Sequence, residues 1–166
     1  MPRAAITTFA AVVTLALSSL THRAGAEDWG QFRGPNCSGI SSSEASLPAK
    51  FSDTENVKWR ADLEDGIGSV VVAGGRVFTS AISADSKTVS LLAFDANSGK
   101  PLWRRQWPAG DLPEIHKTNS HASTTAAADA ERCYFYFSTL GMVAVDARTG
   151  EDVWRRELPV PYFVFK

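Results

Sequence analysis

Short apolar runs broken by turn-forming residues fill the chain from residue 69 onward, and no segment there carries the 3.6-residue period of an amphipathic helix. Ser69–Val72 and Arg76–Ser80 flank Gly74-Gly75. Leu91–Phe94 and a return run, Pro101–Gln106, flank a turn that opens at Asp95 and closes at Gly99. The same order then recurs: Ser123–Ala126, a turn at Asp129–Arg132, Cys133–Phe137, Met142–Val145, a turn from Asp146 to Gly150, and Asp152–Leu158. β-prone runs with such breaks predict strands in antiparallel meanders. The chain therefore predicts two units of four short strands each.

The last hairpin of each unit is a true repeat. Ala93, Asp95, Gly99, Trp103, Arg104 and Arg105 recur as Ala144, Asp146, Gly150, Trp154, Arg155 and Arg156, all at an offset of 51. The physics is that of a tight turn. An Asp carboxylate accepts turn N–H groups, and a Gly four residues later takes a positive φ at no steric cost. The returning strand is expected to bury its Trp on one face and to carry the Arg pairs, 104/105 and 155/156, into solvent. Four-stranded units of this size are the blades of a β-propeller. Residues 64–107 read as a first blade, 108–122 as a polar inter-blade loop, and 123–158 as a second blade. A β-sandwich also uses short strands and frequent turns, but it does not call for one Asp-to-Trp hairpin twice.

The pattern Ala-x-Asp-x-x-x-Gly-x-x-x-Trp, held by Ala93/Asp95/Gly99/Trp103 and by Ala144/Asp146/Gly150/Trp154, resembles the tryptophan-docking repeat of the PQQ-like (quinoprotein-type) β-propellers. The resemblance implies an all-β propeller in which the Trp of one blade packs against the next. Asp28-Trp-Gly-Gln-Phe-Arg-Gly-Pro-Asn36, followed by Gly39-Ile-Ser41, is similar to the Trp-x-x-Phe-Arg-Gly-Pro opening of an exported bacterial branch of that family, and so is Asn119-Ser-His-Ala-Ser123. Some members of that branch are described as BamB-like. Fold-level likeness implies architecture far more than function.

The first residues read as an address. Arg3 precedes an uncharged, mostly apolar run from Ala4 to Leu20, and Ala24-Gly25-Ala26 supplies small residues for a peptidase. Charge, apolar core and small-residue exit predict a signal peptide over 1–26, cleaved after Ala26. The Ser and Thr within the run and the small-residue exit weigh against a retained membrane span. A secreted or periplasmic product follows, with 27–55 as an N-terminal arm. In that oxidising space Cys37 and Cys133 could pair, and the sequence leaves their pairing open.

Composition narrows the classes. With 44% hydrophobic residues, 12 Gly and 8 Pro the chain is globular, neither disordered nor collagenous nor a coiled coil. Seventeen basic against 18 acidic residues give no field to draw nucleic acid or anionic lipid.

Both ends suggest an open ring. A propeller has about four to eight blades, and this chain supplies two units. Val57-Lys-Trp59-Arg60-Ala-Asp-Leu63 resembles the outgoing strands around Trp103 and Trp154, yet no three-strand partner precedes it. Residues 56–63 are thus expected to be an orphan ring-closing strand, 159–166 the start of a truncated next element, and the chain an N-terminal fragment of a longer propeller.

Chemistry is sparse. The alternative implied by the resemblance, a quinoprotein dehydrogenase, would need PQQ with Ca²⁺ in the ring's channel, an Asp base and often a vicinal disulfide. No adjacent Cys pair is present, and Asp95 and Asp146 read as structural. His116 and His121, five residues apart, suit no strand face, and a third metal ligand is not evident. No G-x-S-x-G elbow occurs, and Gly66-Ile-Gly68 and Gly74-Gly75 precede no helix. The polar loop with His116, Asn119 and His121 is the candidate binding site, because loops on a rigid scaffold carry most binding residues. The expected role is a binding or scaffold module for an envelope or extracellular protein or glycan, with no catalysis and no cofactor; an incomplete, inactive gene product is a further possibility.

Overall fold

A computed structural model describes residues 27–43 and 46–160. The expected signal peptide and the last six residues lie outside them. Two four-stranded antiparallel sheets account for all the strands described. The first has the order β1 (Val71–Ala73), β2 (Arg76–Ile82), β3 (Thr88–Asp95), β4 (Pro101–Pro108). The second runs β5 (Ala127–Ala128), β6 (Arg132–Phe137), β7 (Gly141–Asp146), β8 (Asp152–Arg156). The one helical element among the described residues is a single 3₁₀ turn at Pro35–Cys37.

Local chemistry sets each hairpin. Gly74 and Gly75 both take positive φ, 54° and 75°, which is the two-residue turn whose twist matches the flanking strands. At the third-to-fourth strand turns the Asp does the work expected of it. Asp95 Oδ1 accepts from the backbone N–H groups of Asn97 and Ser98 at 3.1 and 2.8 Å and from the Ser98 hydroxyl at 2.7 Å. Asp146 Oδ1 accepts from the N–H groups of Arg148 and Thr149 at 2.9 and 3.0 Å. These bonds hold both carboxyls below their ordinary pKa, led by the Ser98 hydroxyl at Asp95 and by the Arg148 N–H at Asp146. A register shift falls at the same place in each sheet, between Ala93 and Phe94 and between Ala144 and Val145.

The core lies between the sheets. Phe78, Ile82, Val89, Leu91 and Ala93 of the first sheet form one buried cluster with Cys133, Phe135, Phe137, Val143 and Val145 of the second. Each large side chain taken fully out of water there contributes about 2 kcal/mol. The alternate residues of β6 and β7 (Tyr134, Tyr136 and Met142) point to the other face and stay partly exposed. Burial of the Cys133 thiol pushes its pKa up to about 12. Cys133 is buried while Cys37 is exposed, and neither is in a disulfide.

The N-terminal arm seals the inner edges of both sheets. Trp29 and Val72 exchange backbone bonds of 2.6 and 2.9 Å along β1, and the Ala128 N–H on β5 donates to Gly30 O at 2.7 Å. Unpaired edges invite aggregation, and here the arm covers the two inner ones. Within the arm the Trp29 ring lies over Gly34, where an added β-carbon would sit 2.5 Å from the indole. That contact, together with the φ of 66°, explains the glycine in the Trp-to-Pro opening.

Residues 56–63, expected as an orphan strand, pair with none of the eight described strands. One boundary changes. The expected strand Ser123–Ala126 moves to Ala127–Ala128 because the preceding residues bond across to the first sheet's entry segment. Ala122 O accepts from the N–H groups of Ile67 and Gly68 at 3.1 and 3.2 Å, and Thr125 Oγ1 accepts from Ser69 N–H at 3.0 Å.

Candidate binding site

The repeat residues come together as an interlocking device between blades. The Trp103 indole of blade 1 lies over Gly150 of blade 2, where an added β-carbon would sit 2.7 Å from the ring. Its Nε1 donates to Ala147 O at 3.1 Å. Trp59 repeats this on blade 1: the ring covers Gly99, and Nε1 donates to Ala96 O at 3.0 Å. Each turn glycine therefore answers two demands, a positive φ (69° at Gly99, 73° at Gly150) and bare space beneath an indole. Ala93 and Ala144 lie directly opposite Trp103 and Trp154, fully buried and small enough for the ring beside them. Trp154, expected to be buried, is 44% exposed, because nothing among the described residues lies beyond its side of blade 2.

The Arg pairs divide as well. Arg105 makes a two-pronged bridge to Asp152 of blade 2, with Nε–Oδ1 2.9 Å and Nη2–Oδ2 2.8 Å. That bond lowers the Asp152 pKa and raises that of Arg105. Arg104 turns to the opposite face, donating to the buried Ser90 hydroxyl at 2.9 and 3.1 Å and pairing with Glu64. Arg155 donates to Leu140 O at 3.1 Å. Arg156 alone of the four fits the solvated strand end expected from sequence.

The inter-blade loop is tied down at both ends. Ala109 N–H donates to Lys87 O at 2.8 Å, and the Thr139 hydroxyl donates to Ala109 O. At the far end the buried Ser120 hydroxyl donates to Asp65 Oδ2 at 2.7 Å and accepts from Ala122 N–H at 3.1 Å. Between these anchors the loop, the approach to β5 and the end of β6 line a cleft of about 120 Å³. Asn119 and His121 line it with Ser123, Thr124, Tyr136 and Ser138, and Pro113 and Ile115 supply apolar wall. His116 is not in the lining; its Nδ1 faces the Thr118 hydroxyl at 2.8 Å in an exposed turn.

The lining offers hydroxyls, an amide and an imidazole, with no carboxylate, Lys or Arg. Such a surface can hydrogen-bond a neutral polar group, but it lacks the paired acids of general acid–base hydrolysis. No group of three or more His, Cys, Asp or Glu among the described residues could hold a metal ion. Of this lining the sequence had suggested Asn119 and His121 but not Tyr136 or Ser138. The alternation along β6, which puts Cys133, Phe135 and Phe137 in the core, could have marked both.

The family model described as outer membrane protein assembly factor BamB matches residues 17–162, across both blades, the loop and the cleft. The chain belongs to this family. None of the curated proteins matches it. Membership in the BamB family agrees with the all-β blades. No helix among the described residues is long and apolar enough to cross a membrane.

Proposed function

We propose that the chain is a protein-binding module of an exported β-propeller, holding an envelope partner at the loop-bearing end of its blades and carrying out no catalysis. The observation that carries this reading is the neutral cleft on a rigid mount. Asn119, His121, Tyr136 and Ser138 converge on it, while Trp103 and the Arg105–Asp152 bridge lock the blades that carry them. The family's description, which names a protein-assembly factor, supports the same role. A backbone segment of a partner protein, with uncharged donors and acceptors, suits the lining better than a glycan, because Pro113 and Ile115 leave part of it apolar.

The quinoprotein alternative would seat PQQ in the ring's channel, and this cleft does not suit it as a second place. PQQ carries three carboxylates, and the lining brings no cation to meet them. We therefore derive no redox step through it.

The test is a photoreactive residue at Asn119 in the full chain expressed in its source cells, with the same residue at the exposed Lys58 as control. A discrete protein adduct at position 119 and none at position 58 is the expected result. No adduct at 119, or the same adducts at both, would overturn the reading. A visible-absorbing quinone that co-purifies with the chain would replace it with the dehydrogenase.

A further inference from the structure

Three outgoing segments carry the docking tryptophan, each followed by an Arg and then by Ala61, Arg105 or Arg156. Two residues beyond Trp103 stands Arg105, and two residues beyond the glycine it faces, Gly150, stands Asp152; the two side chains are bonded at 2.8 and 2.9 Å. Two residues beyond Trp59 stands Ala61, and two beyond its glycine, Gly99, stands Pro101. Ala61 and Pro101 line the same open pocket between that segment and blade 1. One docking thus joins a cation to a carboxylate, and at the other the two equivalent positions are both uncharged and small and border one open space.

Trp154 is the third. It sits opposite Ala144 as Trp103 sits opposite Ala93, after the same register shift. Two residues on is Arg156, exposed and without an ion-pair partner among the described residues. Its neighbour Arg155 is already engaged, with Leu140 O and with Glu157 at 3.8 Å. Tyr134, with its ring 6.1 Å from Trp154, stays partly exposed on this face, like Tyr136 and Met142.

We propose that the residue two beyond each docking tryptophan reads the residue two beyond the next blade's turn glycine. On this basis the Trp154–Arg156 surface takes one kind of occupant, a further blade of this repeat whose hairpin reads Asp-x-x-x-Gly-x-Asp or Asp-x-x-x-Gly-x-Glu. The turn glycine gives the indole its space, the carbonyl after the first Asp accepts from Nε1, and the second acid pairs with Arg156. A second copy of the chain presents no such hairpin. Its blade 2 hairpin is covered by its own Trp103, and its blade 1 hairpin is covered by Trp59 and offers Lys100-Pro101, which gives Arg156 a like charge beside it. Specificity of this sort rests as much on mismatched charges as on matched ones.

The inference does not rest on what binds the loop cleft, although Tyr136 borders both; its readouts, Trp154 emission and the charge reversal at Arg156, report the blade contact alone. In a chain where residues 109–159 are repeated once after Pro159, Trp154 meets the added copy of the Asp146–Gly150 hairpin, and Arg156 meets the added copy of Asp152. Trp154 emission, read as the difference from a Trp154→Phe variant, is expected to shift to the blue relative to the unextended chain. Lys in place of the added Asp should lower the melting temperature, and Arg156→Glu in the same chain should restore it. Unshifted Trp154 emission, or a melting temperature indifferent to the charge reversal, would overturn the proposal. So would a head-to-tail oligomer of the unextended chain that dissociates on Trp154→Ala, which would give this surface to a second copy.

Discussion

Trp103 and Trp154 occupy the same register in the same hairpin, with the same small residue opposite and the same bulge before them. One bonds a neighbouring blade and covers its glycine; the other is nearly half exposed with no acceptor for its indole N–H among the described residues. The repeat therefore encodes a docking capability, and only a neighbour turns it into a contact. The sharpest way to break the comparison is to remove each ring. Trp103→Ala should cost about 3 kcal/mol, the lower end of the range for large aromatic deletions, since the ring is partly accessible. Trp154→Ala should cost about 1 kcal/mol or less, as expected of an exposed site without buried partners. Thermal or urea unfolding of the two variants measures both, and equal losses would mean that Trp154 is covered in solution.

The same contrast holds from the glycine side. Gly150 and Gly75 share a positive φ, 73° and 75°, but an added β-carbon at Gly150 meets the Trp103 ring while one at Gly75 meets nothing within 4 Å. Gly75→Ala should lose about 1 kcal/mol from backbone strain alone. Gly150→Ala should lose about 2–3 kcal/mol, because the indole must also move. A combined Gly150→Ala/Trp103→Ala chain should fall short of the sum of the single losses, since the clash vanishes with the ring.

These pairs also explain what the sequence made legible. The Asp-to-Gly turns are local: each carboxylate bonds N–H groups two and three residues away, so residue type and spacing alone announce them. The repeat offset then placed Trp103 and Trp154, and the docking of blade on blade followed from the resemblance. Long-range matters were hidden. Arg105 finds Asp152 forty-seven residues on, and no periodicity in either strand marks that bond. The segment around Trp59 reads as a strand because its residues match the outgoing ones, yet a strand is defined by its neighbour, and here it is side chains that engage: the Trp59 indole with Ala96 O, Lys58 with Asn97 and Arg60 with Asp53. The cleft draws on the loop, the approach to β5 and the end of β6, so Asn119 and His121 could be picked as loop residues while Tyr136 and Ser138 looked like strand filler.

The smallest effect sharpens the comparison most. Arg105 and Arg156 are equivalent in register, opposite Leu91 and Met142, but only Arg105 has an acid to meet. Both partners of the Arg105–Asp152 bridge are more than a third exposed, so solvent screening leaves it worth about 0.5 kcal/mol near neutrality despite its two-pronged geometry. Arg105→Ala should show that loss, and Arg156→Ala should show none. Acid provides the internal control. The Asp152 carboxyl is held below its ordinary value of 3.8, with the Arg105 hydrogen bond the leading cause. A depressed folded-state pKa contributes stability above the unfolded value and loses it as pH falls through the folded one. The gap between wild type and Arg105→Ala should therefore be constant from neutrality down to about pH 5 and close below about pH 4. The Asp95 and Asp146 turns, whose carboxyls are also depressed, should weaken alike in both chains over that range. Unfolding the two proteins in parallel across pH separates the contributions: a gap that persists in acid would assign the loss to Arg105's packing over Trp107, whose ring centroid lies 5.8 Å from the guanidinium carbon, and not to its charge.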